Sequence, residues 1–445
     1  MTQDAKSATN SHRELPVTIQ HRKFLFISDL GSIGDLAFAV KNEGNEVKYN
    51  IRSRAEKEIS DGFLEKIDDW ESLKNWADVI IFDDIGFGTI ADRLRKEGLA
   101  VVGGSSVSDR LELDRDFGHE QLKKAGLQTI PSWEFSNFDD AITYVKSNPD
   151  RYVVKPSGKA QEEKALSFVG QEEDGLDVLA VLERYKNAWS TKIKSFQIQR
   201  FVSGVEVAVG AFFNGQEFIL PACINFEHKR MFNGDIGPST GEMGTLMFWA
   251  DRSRLYSETL EKFKPILAGT RFVGYFDINC IVNSRGIYPL EITPRFGYPT
   301  ISIQMEGVTS KWGEFLYALG RGDQYPLRTR NGFQIGVVVA VPPYPFSDPT
   351  AYRRYSEDAV IIFKKPMMSG IHHGDVKLVN GDWRLAGSSG YALVVTGSGA
   401  TVEEARRETY NRVKNIIIPN MFYRSDIGER WIRDADLLLT WGYLS

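Results

Sequence analysis

Short apolar runs alternate with polar stretches of helical period through the first quarter of the chain. Lys23 to Ser28 predicts a buried strand, and Asp35 to Asn42, after a Gly-containing turn, a helix. Asp78 to Phe82 predicts a second strand, Thr89 to Glu97 a helix, and Ala100 to Val102 a short strand. Buried strands spaced by helices are the pattern of a parallel sheet covered on its faces, with ligand sites at the carboxyl ends of the strands. A charged helix is predicted from Ser108 to Ala125, ending at Gly126.

From Pro131 the strands lengthen and become neighbours in sequence. They are predicted at Tyr152 to Lys155, Phe196 to Val202, Val205 to Phe213, Glu217 to Ile224, Val273 to Val282 and Ile287 to Ile292. Asn214-Gly215 is a residue pair favoured in tight hairpins. Helices are predicted at Asp174 to Asn187, Arg252 to Leu267 and Thr309 to Leu319. This reads as α+β with a largely antiparallel sheet. A last segment holds strands at Phe333 to Val341 and Tyr391 to Val395 and a helix at Val402 to Ile416, with Pro342-Pro343-Tyr344-Pro345 closing the first strand.

A chain of 445 residues exceeds one hydrophobic core. The segments suggest a tail over 1–22, disordered by its polar composition, an α/β domain over 23–130, a lid over 131–200, a central domain over 201–330 and a C-terminal domain over 331–445. The formal net charge of -5 and the lack of a dense basic block give no attraction to nucleic acid. No apolar run is long enough to span a membrane, no signal-peptide core opens the chain, and the cytoplasm is the expected compartment. Cys223 and Cys280 sit in apolar stretches and read as core residues.

Two stretches carry chemistry. Glu227 to Gly244 joins the cations His228, Lys229 and Arg230 to a loop with four glycines and one proline. Glycines let backbone N–H groups approach an anion, although a solvated surface loop would show the same composition. The second pairs Gly274 to Cys280 with Pro289 to Gly297. On a hairpin turning at Ser284-Arg285-Gly286, the period of two puts Asp277, Asn279, Glu291, Thr293 and Arg295 on one face. Ile278, Cys280, Leu290 and Ile292 then lie on the other. Such oxygens suit hard Mg²⁺ and Arg295 suits phosphate, while a solvent-facing sheet with an ion pair is the plainer alternative.

His228-Lys229-Arg230, with the Gly-Asp-x-Gly-Pro-x-Thr-Gly-x-Met-Gly run after it, resembles a signature of the glycinamide ribonucleotide synthetases (phosphoribosylamine–glycine ligases). Leu290-Glu291-x-x-x-Arg295-Phe296-Gly297-x-Pro299 is similar to that family's metal and phosphate strand. Weaker similarities, such as Val102-Gly103-Gly104 and Arg424 to Gly428, spread the resemblance from about Phe24 to Arg433. It implies an ATP-grasp fold with a parallel α/β domain before it and a small domain after it. It further implies an ATP-dependent ligase that joins a small-molecule carboxylate to an amine through an acyl phosphate, using Mg²⁺, with Mn²⁺ as an alternative. A monomer or homodimer is expected.

Carried over residue by residue, the resemblance places Arg115 and Lys155 on the nucleotide phosphates, Gln199-Arg200-Phe201-Val202 at the adenine and Glu206 at the ribose. Asn279, Glu291 and Thr293 fall at the metal positions. Arg295, Lys229, Arg230 and His228 supply catalytic charge, and Gly31, Gly34, Asp35, Thr240, Gly241 and Tyr298 line the substrate region. The chain also departs from the family. Asp35 stands where an arginine meets the ribose phosphate, Tyr298 and Thr300 replace two carboxylates, Thr293 replaces an asparagine, and the lid loop reads Ser157 to Lys164. A ligase with altered substrates is the leading reading. A true phosphoribosylamine–glycine ligase and a non-catalytic nucleotide binder are the alternatives.

Overall fold

The structure, a computed structural model, describes residues 21–157 and 166–444. Its first layer is a parallel sheet of β1 (Lys23–Ser28), β2 (Glu46–Ile51), β3 (Glu65–Lys66), β4 (Val79–Phe82) and β5 (Val101–Val102), in the order β3-β2-β1-β4-β5. Phe24, Phe26 and Ile81 face the main core, while Leu25, Ile27, Ile80 and Phe82 pack under α2 (Gly88–Lys96). Burial on both faces is why β1 lacks alternation. Helix α1 (Gly34–Asn42) follows β1. The helix predicted over Ser108 to Ala125 is two, α3 (Ser106–Leu113) and α4 (Arg115–Lys124). Asp114 leaves helical geometry and caps α4 by accepting from the Phe117 N–H, which ends one helix and starts the next.

The lid is a four-stranded antiparallel sheet, β6 (Ser132–Phe135), β9 (Phe196–Arg200), β7 (Tyr152–Pro156) and β8 (Phe168–Val169) in spatial order, with α5 (Phe138–Ser147) and α6 (Leu176–Trp189) against it. It has its own core, in which Phe138, Val145, Val154, Leu182 and Ile198 are buried together. Of the predicted lid loop, the residues after Ser157 lie outside the described residues, as does the N-terminal tail up to residue 20. Arg22, assigned to that tail, is held: its guanidinium lies over the Tyr317 ring.

The central antiparallel sheet has eight strands. β10 (Val205–Phe213), β11 (Phe218–Glu227), β14 (Gly244–Ala250), β15 (Gly274–Asn283) and β16 (Gly286–Thr293) come from the central segment, and a small hairpin of β12 (Arg230–Phe232) and β13 (Ile236–Ser239) stands off it. The predicted tight turn is a four-residue loop instead: Asn214 Oδ1 accepts from the N–H groups of Gln216 and Glu217, and Gly215 takes the positive φ. The helix predicted over Arg252 to Leu267 splits at Thr259 into α7 (Arg254–Glu258) and α8 (Leu260–Ala268). Helices α9 (Thr300–Gly307) and α10 (Trp312–Gly320) follow. β17 (Phe333–Ala340) pairs with β14, so the C-terminal segment continues the same sheet. After α11 (Pro349–Tyr355) and the short β18 (Ile362–Phe363), β19 (Ile371–His373) forms the sheet's outer edge. The hairpin β20 (Val376–Val379) and β21 (Asp382–Leu385) precedes β22 (Tyr391–Gly399), which lies between β17 and β19, and α12 (Val402–Val413) comes next.

One polar network ties the first layer to the last. His372 Nδ1 meets Asp35 Oδ2 at 2.7 Å, while the His373 backbone N–H and Nδ1 meet Asp35 Oδ1 at 2.9 and 2.8 Å. His372 Nε2 reaches Thr396 Oγ1 at 3.0 Å, and Thr396 donates to Glu306, which also pairs with Arg412. Burial alone would raise the Asp35 carboxyl, but the charge and hydrogen bonds of His372 and His373 outweigh it and hold the group well below the usual carboxylate range. The expectation that Asp35 lines the substrate region is therefore corrected: its oxygens are spent on His372 and His373 of the C-terminal segment.

Removing that carboxylate strands two imidazoles in a buried place. Asp35→Ala is expected to lower stability near neutral pH by about 3–5 kcal/mol. Because the folded-state value is depressed, the contribution is present above the unfolded value of about 4 and is lost as pH falls through the folded one. Urea unfolding at neutral and acidic pH checks this: the gap between wild type and variant should narrow in acid, and a gap independent of pH contradicts it.

Candidate active site

The hairpin of β15 and β16 sets its polar residues in direct cross-strand pairs, Asp277 opposite Thr293 and Asn279 opposite Glu291. The register shifts after Asn279, so Cys280 stands opposite Pro289. Ile278, Cys280 and Ile292 turn into the main core as the period of two requires. Ala208 on β10 is opposite both Asn279 and Asn225, which extends the polar face across β10 and β11 to Glu206, Asn225 and Glu227.

Lys229 sits at the centre of this face. Its Nζ lies 2.8 Å from Glu206, 3.3 Å from Glu227 and 3.2 Å from Glu291. Burial works against the ammonium, yet Glu291, Glu206 and Glu227 together raise its pKa well above that of a free lysine. Thr240 fixes the backbone beneath it, both its N–H and its hydroxyl donating to the Lys229 carbonyl at 2.7 and 3.0 Å. Asn279 donates from Nδ2 to Glu227 at 3.0 Å, and its Oδ1 is buried with no partner among the described residues. Asp277 is tied to the Tyr275 hydroxyl at 3.1 Å, and burial with nearby Glu227 pushes it up to about 7.

Two further cations face the same place. Arg115 opens α4 and donates to the Pro156 carbonyl at 3.1 Å. Lys155, next to it in β7, is pushed down to about 8 by burial, with Arg115 and Lys229 adding repulsion that Glu291 and Glu206 partly offset. Arg115, Lys155, Glu206, Lys229, Asn279 and Glu291 thus come together from the lid and the central sheet, as their types suggest.

Other predicted residues stand differently. His228 is buried with both ring nitrogens unpartnered among the described residues, and burial beside Arg430 and Arg424 pushes its pKa down to about 3. It is neutral, so it cannot supply the expected catalytic charge. Arg230 is exposed on the hairpin and donates to the Gly237 carbonyl. Arg295 is held by Glu112 at 3.0 Å and Asp84 at 3.1 Å, rather than being an open phosphate fork. Burial pushes that Glu112 up to about 7 despite Arg295. In the adenine segment Gln199 is buried, Arg200 pairs with Asp150 at 2.6 Å, and the Arg200 and Phe201 N–H groups donate to Pro131 and Arg151. Gly31 and Gly34 serve packing, since a Cβ at Gly34 would meet Ser60 Oγ at 2.5 Å, whereas Gly241 is exposed and open. The Tyr298 hydroxyl is buried without a partner among the described residues.

Residues outside the sequence reading also line the cleft. Glu227 begins the stretch already singled out, Glu112 stands one helical turn before Arg115, and Asp83-Asp84 follow a buried parallel strand. The carboxyl end of that strand was the available signal.

Residues 113–300 match the ATP-grasp (A) domain of phosphoribosylglycinamide synthetase, and residues 334–430 match its C domain. The chain is 26% identical to the phosphoribosylamine–glycine ligase of Streptococcus suis, covering 79% of this chain and 83% of that one. It is 25% identical to the ligase of that name from Clostridium acetobutylicum, over 76% and 81% of the two chains. The fold superposes on the crystal structure of the phosphoribosylamine–glycine ligase of Thermotoga maritima with a TM-score of 0.67, covering 91% and 100% of the chains at 21% identity. N5-carboxyaminoimidazole synthetase from Staphylococcus aureus gives 0.56 at 16% identity, over 88% and 97%. With both domains in order along one chain, this protein belongs to the phosphoribosylglycinamide synthetase-like ATP-grasp ligases.

Proposed function

We infer that this chain uses ATP to join a carboxylate to an amine. The observation that carries the reading is the meeting of Arg115 and Lys155 from the lid side with Lys229 and the Glu206–Glu227–Asn279–Glu291 row from the central sheet. The names of its relatives supply the reaction class.

The donors suit a hard divalent cation. The buried Asn279 Oδ1 lacks a partner, Glu291 stands across from it, and Glu227 adjoins it. Thr293 stands across from Asp277, at the far end of the row. Among the described residues no group of three or more His, Cys, Asp and Glu side chains is arranged to hold a metal by itself. This fits Mg²⁺, or Mn²⁺, which keeps waters and phosphate oxygens among its ligands. When bound, such a cation neutralises charge developing on the phosphate oxygens. Arg115 and Lys155 would hold the phosphates, Glu206 would meet the ribose, and the Gln199–Val202 segment would meet the adenine.

A substrate carboxylate oxygen attacks the terminal phosphorus as ADP leaves, and the amine nitrogen then displaces phosphate to form the amide. No protein nucleophile is required. Positioning and fixed charge from Arg115, Lys155 and Lys229 do the work. Tyr298 and Thr300, in place of carboxylates, favour substrates other than phosphoribosylamine and glycine. A non-catalytic binder would bind ATP and release no ADP with any carboxylate and amine pair.

Two outcomes are expected. Nucleotide phosphates next to Lys155 should restore its proton, so above about pH 8 Mg²⁺-ATP binding should take up protons. Calorimetry in buffers of different ionisation enthalpy measures this uptake. It should vanish in Lys155→Met, together with at least about tenfold in affinity; uptake unchanged in that variant removes Lys155 from the site. Second, Glu291→Gln should lower ADP release by about a hundredfold while circular dichroism stays native. Wild-type turnover in that variant places the metal elsewhere.

A further inference from the structure

The cleft has a second end, where β1, β2 and β4 finish on the face turned toward the central and C-terminal segments. Ser28 ends β1 and donates to Asp83, which follows β4 and is buried. Tyr49 on β2 is fully buried, with Ser28 beside its hydroxyl. Asp83 and Asp375 both act on that hydroxyl. Asp375 comes from the loop before β20 and is hydrogen-bonded by Ser389. Glu56, after β2, is buried, held through one oxygen by Ser388, with its Oε2 unpartnered among the described residues. The unpartnered Tyr298 hydroxyl completes the wall beside Asp83 and Asp84.

The charge balance here is one-sided. Arg52 is committed to Asp29 at 3.8 Å and Arg295 to Asp84 and Glu112. Among the described residues, none of Asp83, Glu56 and Asp375 has a basic side chain within ion-pair distance. Three carboxyl groups without a paired cation, two of them buried, oppose a phosphate, which would face repulsion from each, and favour an ammonium, which each would attract. The Tyr298 hydroxyl and Glu56 Oε2 offer acceptors for N–H and O–H donors.

We propose that this end of the cleft is the amine subsite and that it takes a cationic, unphosphorylated amine, gripped by Asp83, Glu56 and Asp375 with the Tyr49 and Tyr298 hydroxyls. The proposal rests on the ligase reading, whose amine partner it specifies. The cation enters protonated and is anchored by its charge, and a second, neutral nitrogen or the same nitrogen after proton loss to solvent acts as nucleophile.

Calorimetric titration of the full chain near neutral pH, with 1,4-diaminobutane and with O-phosphoethanolamine, tests it. Diaminobutane is expected to bind at least about tenfold more tightly than the phosphorylated amine. Asp375→Asn and Glu56→Gln should each weaken it by about tenfold. Tyr49→Phe, which leaves every charge in place, should weaken it by a smaller factor and covers the case in which the carboxylate variants fail to fold. Equal or tighter binding of O-phosphoethanolamine, no binding of diaminobutane, or unchanged binding in variants that fold would each overturn the proposal. Mg²⁺-ATP is titrated into the same proteins: nucleotide binding without amine binding sinks the subsite alone, and absence of nucleotide binding in wild type sinks the ligase reading instead.

Discussion

The site is organised around one ammonium group. Glu206, Glu227 and Glu291 converge on a single sheet face, and like charges about 4 Å apart cost several kcal/mol per pair even at an effective dielectric near 20. Lys229 makes the convergence tolerable by standing within 3.3 Å of all three. Its place is set by the backbone more than by the side chain, since Thr240 clamps the Lys229 carbonyl and His228 bonds to Gly244 and Met243 where the loop re-enters the sheet. A divalent cation entering beside Asn279 would take over part of this neutralisation. Lys229 would then be released toward the anion that arrives with it, so the carboxylate row and the phosphate-facing cations form one exchangeable charge system.

That arrangement needs the layers around it to keep their spacing. Arg295 spans the gap, taking Asp84 from the parallel sheet and Glu112 from the helix that leads to Arg115. The Asp35–His372–His373 contact fastens the parallel sheet to the outermost strand of the central one. Among the described residues the lid packs around a hydrophobic cluster distinct from the main core. Lys155 in β7 can therefore shift with the lid relative to the carboxylate row without unpacking the main core.

How much of this was legible in the sequence follows from the range of each interaction. The β15–β16 pairing was legible because a period of two and a short turn determine which side chains share a face, and the pairs Asp277–Thr293 and Asn279–Glu291 fell where that logic puts them. The split helices were not, because Asp114 and Thr259 interrupt an otherwise helical pattern through backbone geometry that composition does not reveal. Asp35 was misread for a deeper reason. Its partners lie 337 and 338 residues away, so its local sequence shows a carboxylate after a glycine turn and nothing of the imidazoles that neutralise it. His228 fails similarly: a histidine beside Lys229 and Arg230 looks cationic until burial among Arg424 and Arg430 deprives it of a proton.

The same long-range logic gives the cleft its polarity. At one end Arg115 from α4, Lys155 from the lid and Lys229 from the central sheet stand beside Glu206, Glu227 and Glu291, and Lys155, lowered to about 8, has an incentive to meet an anion. At the other end Asp83 and Asp375 are raised to about 7 by burial, Asp83 with Asp84 and Asp375 with Glu56 adding to it, which leaves both poised to gain from a cation. Arg295 pairs there with both Asp84 and Glu112. Groups that gain from an anion thus stand near one end, and groups that gain from a cation near the other. For a reaction whose catalysis is positioning, such a difference between the ends helps order the reactants.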